Sequence, residues 1–169
     1  LVDLGRGKDR MGGSALDQTL SYTNHKSPKI NKLDDLLNYY KFTQELVRKN
    51  LLNAYHDRSD GGLITTLIEM AFVSNMSVDL KNVPKKSKIE LIRFLFNEEL
   101  GGVFAIDKRC EKEFIKLTQK YNLESTTHYI GDISKKDKPT LKIASCNYSE
   151  SISKLRKYWS ELSYLIQSE

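Results

Sequence analysis

The chain has 169 residues, of which 39% are hydrophobic and 29% charged, so its length and composition fit one globular domain. It contains neither a secretory signal nor an apolar stretch near the roughly 20 residues of a membrane span, which predicts a cytoplasmic protein without membrane insertion. The 27 Lys+Arg against 22 Asp+Glu give a net charge of +5. The basic residues are scattered lysines without arginine clusters or a recognisable reader module, so we predict no nucleic-acid partner. Cys110 and Cys146 lie too far apart for a metal knuckle, which favours a reducing compartment.

The first third of the sequence predicts a strand, a glycine-rich turn and two helices. Residues 1–5 form an apolar, strand-like run, and because the chain opens inside it we expect a piece of a longer protein. Residues 5–14 are a glycine-rich turn, residues 15–20 a short helix and residues 21–32 a polar loop. A long amphipathic helix follows at about residues 32–52, because apolar residues recur there at helical spacing. Its predicted buried stripe consists of Leu33, Leu37, Tyr40, Val47 and Leu51.

The rest of the sequence mixes predicted helices and strands. The helix after Gly62 has an apolar stripe that must face a core, made of Leu63, Ile64, Leu67, Met70 and Ala71. Residues 76–80 alternate apolar and polar, as in a half-buried strand. The later elements are a short helix marked by Ile89, Ile92 and Phe96, a strand at 103–106, a helix marked by Phe114, Leu117 and Tyr121, and strands at 129–131 and 140–144. The lysine-rich stretches 81–88 and 135–138 are typical of solvated loops.

The chain closes with a helix whose narrow apolar seam is predicted to pack on a neighbouring element. The seam consists of Ile152, Leu155, Trp159, Leu162 and Ile166. Taken together, the elements predict a single α/β (α+β) domain over residues 1–169, with a mixed β-sheet flanked by helices.

The densest polar cluster spans residues 56–62 and precedes a predicted helix. Ser59 or Asp60 can cap that helix, while Gly61 and Gly62 allow close approach of a ligand. A helix N-terminus attracts phosphate, and an anionic nucleotide usually arrives with Mg²⁺. Asp57 would supply a hard oxygen ligand to Mg²⁺, and Ser59 a hydroxyl to a phosphate or sugar. An ordinary capped helix is the alternative.

The glycine-rich turn at residues 5–14 is a second candidate. Gly7 and Gly12 have the spacing of a P-loop, but Gly13 stands directly before Ser14, where a P-loop requires Lys, so we reject a Walker motif. Two interpretations stay open. The turn cradles phosphate through backbone N–H groups, or its glycines permit tight packing of Ala15 on a neighbour.

Several other polar residues are better explained without a ligand. Glu98 and Glu99 are expected to be solvated or paired with Arg more often than bound to metal. The histidines share no metal-ligand spacing; His25 is expected to be exposed, and His128 to be a packing residue. Because Arg makes specific contacts that Lys cannot imitate, four arginines in the motif segments point to specific interactions: Arg6, Arg10, Arg58 and Arg156.

Five segments in a fixed order carry a family resemblance. They are the run 56–63 continued by 66–72, residues 1–5 with 12–16, residues 95–101, residues 128–131, and residues 149–151 followed by Leu155, Arg156 and Trp159. Together they cover nearly the whole chain and resemble the large, single-chain bacterial phosphoribosylformylglycinamidine synthase family. The match is to the C-terminal-type lobe of the second synthetase half. Asp17 departs from the pattern, which usually carries Ala there.

The resemblance implies an α/β lobe of the aminoimidazole ribonucleotide synthetase superfamily. The family converts formylglycinamide ribonucleotide to the amidine with ATP and glutamine, in purine biosynthesis. Asp57 then looks like a Mg²⁺ ligand and Ser59 like a contact to ATP or ADP, in a site that is structural in this family. Loop residues of secondary interest are His56, Arg58, Asp60, Gly61, Gly12, Gly13 and Ser14. The implied partners are the other synthetase lobes and the glutaminase domain of the same full-length chain.

The sequence leaves other functions open. The chain alone is expected to be inactive, because the remaining ligands and the glutaminase cysteine would lie elsewhere. A homodimer of the isolated lobe is possible, since the missing lobes would leave apolar surface uncovered. The alternatives are a purely structural lobe and the equivalent lobe of another enzyme in the superfamily, such as aminoimidazole ribonucleotide synthetase or selenophosphate synthetase.

Overall fold

The computed structural model describes residues 1–83 and 87–168, apart from the side chains of Leu162 and Ser168, and shows a mixed α/β fold. Seven strands run at β1 (Val2–Asp3), β2 (Ala54–Asp57), β3 (Ser77–Leu80), β4 (Gly101–Ala105), β5 (Gly131–Ser134), β6 (Thr140–Ile143) and β7 (Tyr148–Ser151). The described residues also form six α-helices, at α1 (Ala15–Thr19), α2 (Leu33–Arg48), α3 (Gly62–Ser74), α4 (Lys88–Phe96), α5 (Glu111–Lys120) and α6 (Ile152–Ser168), besides three short 3-10 helices. In this described part of the chain, no helix is both long and apolar enough to cross a membrane.

The strands form two sheets, where the sequence predicted one. The first is antiparallel, in the order β1-β4-β2, with Asp57 of β2 paired to Gly102 of β4. The second is mixed, in the order β5-β3-β6-β7, and its parallel pair is β3 with β6. The predicted α/β class with a mixed sheet is therefore confirmed, and the first sheet is the one that positions the candidate site.

Two apolar clusters hold these layers together. The larger lies between α3, α4, the start of α6 and the mixed sheet, and its fully buried members include Leu63, Leu80 and Leu141. The smaller lies between α2, α5 and the antiparallel sheet and is centred on Phe42, which meets Phe104 edge-on at 5.6 Å between ring centroids. Burial of such side chains is the main stabilising contribution to the fold.

The predicted helix at 32–52 exists, but it is shorter and buries another face. It ends at Arg48, and Asn50 follows in the left-handed conformation with a φ of +52°, which stops a helix. The predicted stripe is wrong: its first four members are at least half exposed, and Leu51 lies beyond the helix. The buried residues are Phe42 and Leu46. Both faces carry apolar residues at helical spacing, so periodicity alone could not choose between them.

The remaining predictions differ from the structure in detail. Helix α4 is confirmed, but Leu91 and Leu95 are its buried residues, while Ile89 and Ile92 are exposed. The strand predicted at 129–131 begins only at Gly131. Strands β2 and β7 were missed because two of the four residues of β2 and three of the four of β7 are polar. Within the predicted loop 81–88, residues 84–86 lie outside the described part of the chain.

The apolar seam predicted along α6 holds only over its first half. Ile152 is buried, and Trp159 meets Phe72 edge-on at 5.7 Å although much of its ring is exposed. Ile166 is 67% exposed, so the prediction that it packs on a neighbour is wrong. The side chain of Leu162 lies outside the described residues.

Candidate nucleotide and metal site

The predicted site residues lie where β2 runs into α3. His56 and Asp57 belong to β2 and are not in a loop as the sequence suggested, and residues 58–61 form the turn between the two elements. Gly62 begins α3 with a φ of +73°, and a Cβ there would come within 2.7 Å of the backbone oxygen of Asn97. Only glycine allows the first turn of α3 to sit this close to the end of α4.

Neither Ser59 nor Asp60 caps α3, so that prediction is wrong. Gly61 is the N-cap residue, with no side-chain hydrogen bond of its own, and the backbone N–H of Gly61 donates to Oε1 of Glu98 at 2.8 Å. The same oxygen accepts the backbone N–H of Ala15, the first residue of α1, also at 2.8 Å. One half-buried carboxylate therefore joins the two segments that the sequence singled out separately.

Asp57 presents an open carboxylate at the end of β2. Its side chain is 70% exposed, and Nδ1 of His56 lies 3.4 Å from Oδ1. Among the residues that the structure describes, no group of three or more His, Cys, Asp or Glu side chains is placed to hold a metal ion. Asp57 can supply one hard oxygen to Mg²⁺, and the other ligands would come from water, a nucleotide or further protein segments.

His56 is held from both sides of its ring, and its Nδ1 lies 2.7 Å from the backbone oxygen of Asp57. Its Nε2 lies 3.0 Å from Oε2 of Glu69 on α3, and Oε1 of Glu69 accepts the indole N–H of Trp159 at 3.0 Å. These contacts tie β2, α3 and α6 together. His56 thus orients the end of β2 and leaves the outer face of Asp57 free.

Two buried ion pairs support the turn of residues 58–61. The Arg58 guanidinium donates to Oδ1 of Asp3 at 2.6 Å and to the backbone oxygen of Glu99 at 2.5 Å. The Arg10 guanidinium binds both carboxylate oxygens of Glu99, at 2.5 and 2.6 Å, and the Glu99 side chain is completely buried. Since unpaired buried charges are costly, these pairs fix the backbone on either side of the site.

The glycine-rich turn donates most of its backbone N–H groups to the protein itself. Gly5 and Gly7 donate to the two carboxylate oxygens of Asp3, at 3.1 and 2.7 Å. Gly12 donates to the backbone oxygen of Lys26 at 2.9 Å, and a Cβ on Gly12 would collide with the backbone of residues 25–27. Ser14 is buried, and its hydroxyl caps α1 by accepting the N–H of Asp17 at 3.2 Å.

Comparison with known proteins decides the family. Residues 5–144 match the family described as AIR synthase related protein, C-terminal domain. The chain belongs to this family. Two solved structures have a similar fold: PurLQS from Thermotoga maritima (TM-score 0.60, 12% identity, 85% of this chain) and T. maritima PurL complexed with ATP (TM-score 0.58, 14% identity, 74% of this chain). The matches cover 24% and 22% of those chains, so this chain spans about a quarter of their length.

In this AIR synthase-related domain, the sequence analysis did not identify the buried residues whose hydrogen bonds hold the turns around the site. Asp3 and Asn97 lie in segments that carry the family resemblance but were not singled out as site residues. Glu99 was expected to be either solvated or paired with Arg, and the second expectation is right.

The expectation that four arginines make specific contacts is confirmed. Arg10 and Arg58 make the buried pairs described above. Arg6 donates to both carboxylate oxygens of Asp35, and Arg156 donates to the backbone oxygen of Phe72. A search for acidic partners of these arginines could therefore have found the buried pairs Arg10–Glu99 and Arg58–Asp3.

Two further side chains near Asp57 were also missed. The hydroxyl groups of Tyr39 on α2 and Tyr55 on β2 are 3.0 Å apart, and Tyr39 lies over Gly102, the residue paired with Asp57. Burial, followed by the hydrogen bond with Tyr55, raises the pKa of Tyr39, so its hydroxyl stays protonated.

The histidines behave differently from one another. His25 is exposed as expected, and its Nδ1 lies 2.8 Å from Oδ2 of the buried Asp17. The packing role predicted for His128 is wrong, because this residue is exposed and its backbone N–H donates to the backbone oxygen of Leu1 at 2.7 Å.

Proposed function

We propose that this domain is the C-terminal-type lobe of a phosphoribosylformylglycinamidine synthase and that it contributes a Mg²⁺-nucleotide surface to that enzyme. The observation that carries the proposal is the exposed carboxylate of Asp57, held at the end of β2 and separated from α3 by the turn of residues 58–61. Family membership, the fold shared with PurL structures, one of them complexed with ATP, and the ordered segments of the sequence support it.

The proposed roles follow from the geometry of the turn. Asp57 would be one ligand to Mg²⁺, which neutralises phosphate charge when a nucleotide is bound. Ser59, half-buried one residue beyond Arg58, would offer its hydroxyl to a phosphate or sugar oxygen. Arg58 makes no ligand contact in this scheme, since Asp3 and Glu99 occupy its guanidinium; it positions the turn.

The rest of the reaction belongs to parts of the enzyme outside this chain. In the proposed enzyme, ATP activates the amide oxygen of formylglycinamide ribonucleotide, and ammonia from a glutaminase domain displaces the phosphate. The proposed partners are the other synthetase lobes and that glutaminase domain. We expect the isolated domain to form no amidine from formylglycinamide ribonucleotide, ATP and ammonia.

The test is a calorimetric titration of the natural full-length protein with ADP, with and without Mg²⁺. Asp57→Asn should remove the Mg²⁺-dependent part of ADP binding, because the amide is a far weaker ligand for the cation. Asp137→Asn, which changes an exposed loop carboxylate, is the matched control and should bind like the parent protein. Equal Mg²⁺-dependent binding by all three proteins would refute the role of Asp57.

A purely structural lobe is the second candidate, and one observation favours it. Glu98 already occupies the N–H groups of Ala15 and Gly61, two donors that a phosphate would use. If the segments serve only as an interface, Asp57→Asn leaves nucleotide content unchanged while Glu98→Ala lowers stability.

A further inference from the structure

A cavity between the glycine-rich turn and the loop after α1 carries a concentration of positive charge. It has a volume of about 490 Å³ and is lined by Lys8, Arg10, Lys26, Ser27 and Lys29, which we call the lysine pocket. Its size lies within the roughly 300–1,000 Å³ of small-molecule sites. It shares no residue with the proposed Asp57 and Ser59 site.

The walls of the lysine pocket are two loops held in fixed contact. The backbone N–H of Gly12 donates to the backbone oxygen of Lys26 at 2.9 Å, and Nδ2 of Asn31 donates to the backbone oxygen of Leu4 at 3.1 Å. The guanidinium of Arg10 donates to the backbone oxygen of Lys29 at 2.8 Å. Because these bonds join the loops at three points, the cavity is formed before any ligand arrives.

Arg10 provides a rigid and nearly buried donor group for the pocket. Its side chain is 8% exposed, and Nε and Nη2 are bound by Glu99 and by the backbone oxygen of Lys29. No hydrogen bond of Nη1 is found within the described residues. Two N–H donors of a fixed guanidinium therefore stay available in a cavity-lining side chain.

The three lysines leave the pocket with an uncompensated positive charge. Nζ of Lys8 donates to the neutral amide oxygen of Asn31 at 2.7 Å. Over the part of the chain that the structure describes, no carboxylate lies within salt-bridge distance of Lys8, Lys26 or Lys29. Glu99 balances Arg10 alone, so the field inside the cavity favours an anion.

We propose that the lysine pocket binds the phosphate group of a small anionic ligand. A phosphate offers several acceptor oxygens and up to two negative charges, which matches the ammonium groups of three exposed lysines and one fixed guanidinium. Ser27, which also lines the pocket, carries a neutral hydroxyl donor. The cavity is larger than a phosphate ion, and it therefore has room for the organic part of a phosphomonoester.

Calorimetric titration of the natural full-length protein tests the proposal, with inorganic phosphate, ribose 5-phosphate and uncharged ribose at constant ionic strength and without Mg²⁺. Phosphate and ribose 5-phosphate should bind saturably, and ribose should not. Tighter binding of ribose 5-phosphate would identify a phosphomonoester as the ligand class, while equal affinities would identify the free anion. Absence of saturable binding by either phosphate compound would overturn the proposal.

Two double variants separate the pocket from general surface charge. Lys26→Gln with Lys29→Gln should weaken phosphate binding at least 10-fold, whereas Lys136→Gln with Lys138→Gln removes the same charge from an exposed loop and should leave it unchanged. Equal weakening in both double variants would refute a defined site.

A third variant separates this proposal from the proposed nucleotide site. Asp57→Asn should keep phosphate binding, so failure of the phosphate proposal and failure of the nucleotide proposal are distinguishable. All four lysines are exposed, and an unchanged unfolding midpoint verifies the fold of each variant.

Discussion

The guanidinium of Arg58 lies 2.6 Å from the carboxylate of Asp3, and the two side chains are only 1% and 6% exposed. The pair joins β1 to the turn that follows β2. Removing one member of a buried pair leaves the other charge unpaired, which costs about 3–5 kcal/mol. Arg58→Gln should therefore lower the free energy of unfolding by about that amount, measured by urea denaturation.

Arg109→Gln is the matched control for this prediction, because Arg109 pairs with Asp107 at 2.9 Å on the surface, with 89% of its side chain exposed. Exposed pairs contribute about 0–1 kcal/mol. A similar small loss in both variants would show that the Arg58 pair does not stabilise the turn.

Glu98 should prove to be a shared anchor of two turns. Glu98→Ala leaves the N–H groups of Ala15 and Gly61 without their acceptor, at a cost of about 1–3 kcal/mol for each donor that water cannot reach. Glu98→Gln keeps an oxygen acceptor and should lose less. Hydrogen exchange should become faster at both amides in Glu98→Ala; faster exchange at one alone would contradict a shared anchor.

Two glycines with similar backbone angles should respond differently to alanine. Gly13 (φ +83°) has open space where a Cβ would be, so Gly13→Ala should cost only the backbone strain of about 1–2 kcal/mol. Gly62 (φ +73°) adds a collision with the backbone of residues 95–97, so Gly62→Ala should cost clearly more. Urea midpoints of the two variants compare these costs directly, and equal losses would be evidence against the close approach at Gly62.

Asp9 should make the protein less stable as the pH rises. Burial, with the nearby charge of Asp3 as the next contribution, raises the pKa of Asp9 above its ordinary value of about 3.9. Between the unfolded and the raised folded pKa, the folded state keeps a proton that the unfolded state has released, so this stability is lost as pH increases through that window.

Asp9→Asn removes this titration while keeping an oxygen acceptor for Nδ2 of Asn97, 3.0 Å away. It should raise the free energy of unfolding at pH 7 and change it little below pH 4, where the carboxyl is protonated in both states. Urea denaturation at both pH values, with Asp137→Asn as the control, measures the difference. An equal gain at the two pH values would point to a cause other than the charge.

The hydrophobic periodicity of the sequence predicted where helices form better than which face of each helix is buried. Helix α3 was predicted with most of its buried stripe, because it is apolar over most of its length and Leu63, Ile64 and Leu67 are all buried. Helix α2 has apolar residues on two faces, and only the aromatic neighbours of Phe42, which come from distant parts of the chain, decide which face is buried. Such long-range packing has no signature in local periodicity.

The candidate site shows the same limit. Asp57 and Ser59 were found because they stand in a recognisable run of residues. The contacts that fix them come from Asp3, Glu98 and Glu99, which are more than 35 residues away in the chain. Acidic side chains that bind backbone N–H groups inside the protein look the same in sequence as solvated ones.

Because a single oxygen of Glu98 holds both the start of α1 and the turn before α3, the energetics of these segments cannot be separated. Substitutions in the two turns should deviate from additivity in double-mutant cycles even when the altered residues do not touch. When the same cycles are repeated in the Glu98→Ala background, the changes in the free energy of unfolding should become nearly additive, since the thermodynamic link between the segments would then be broken.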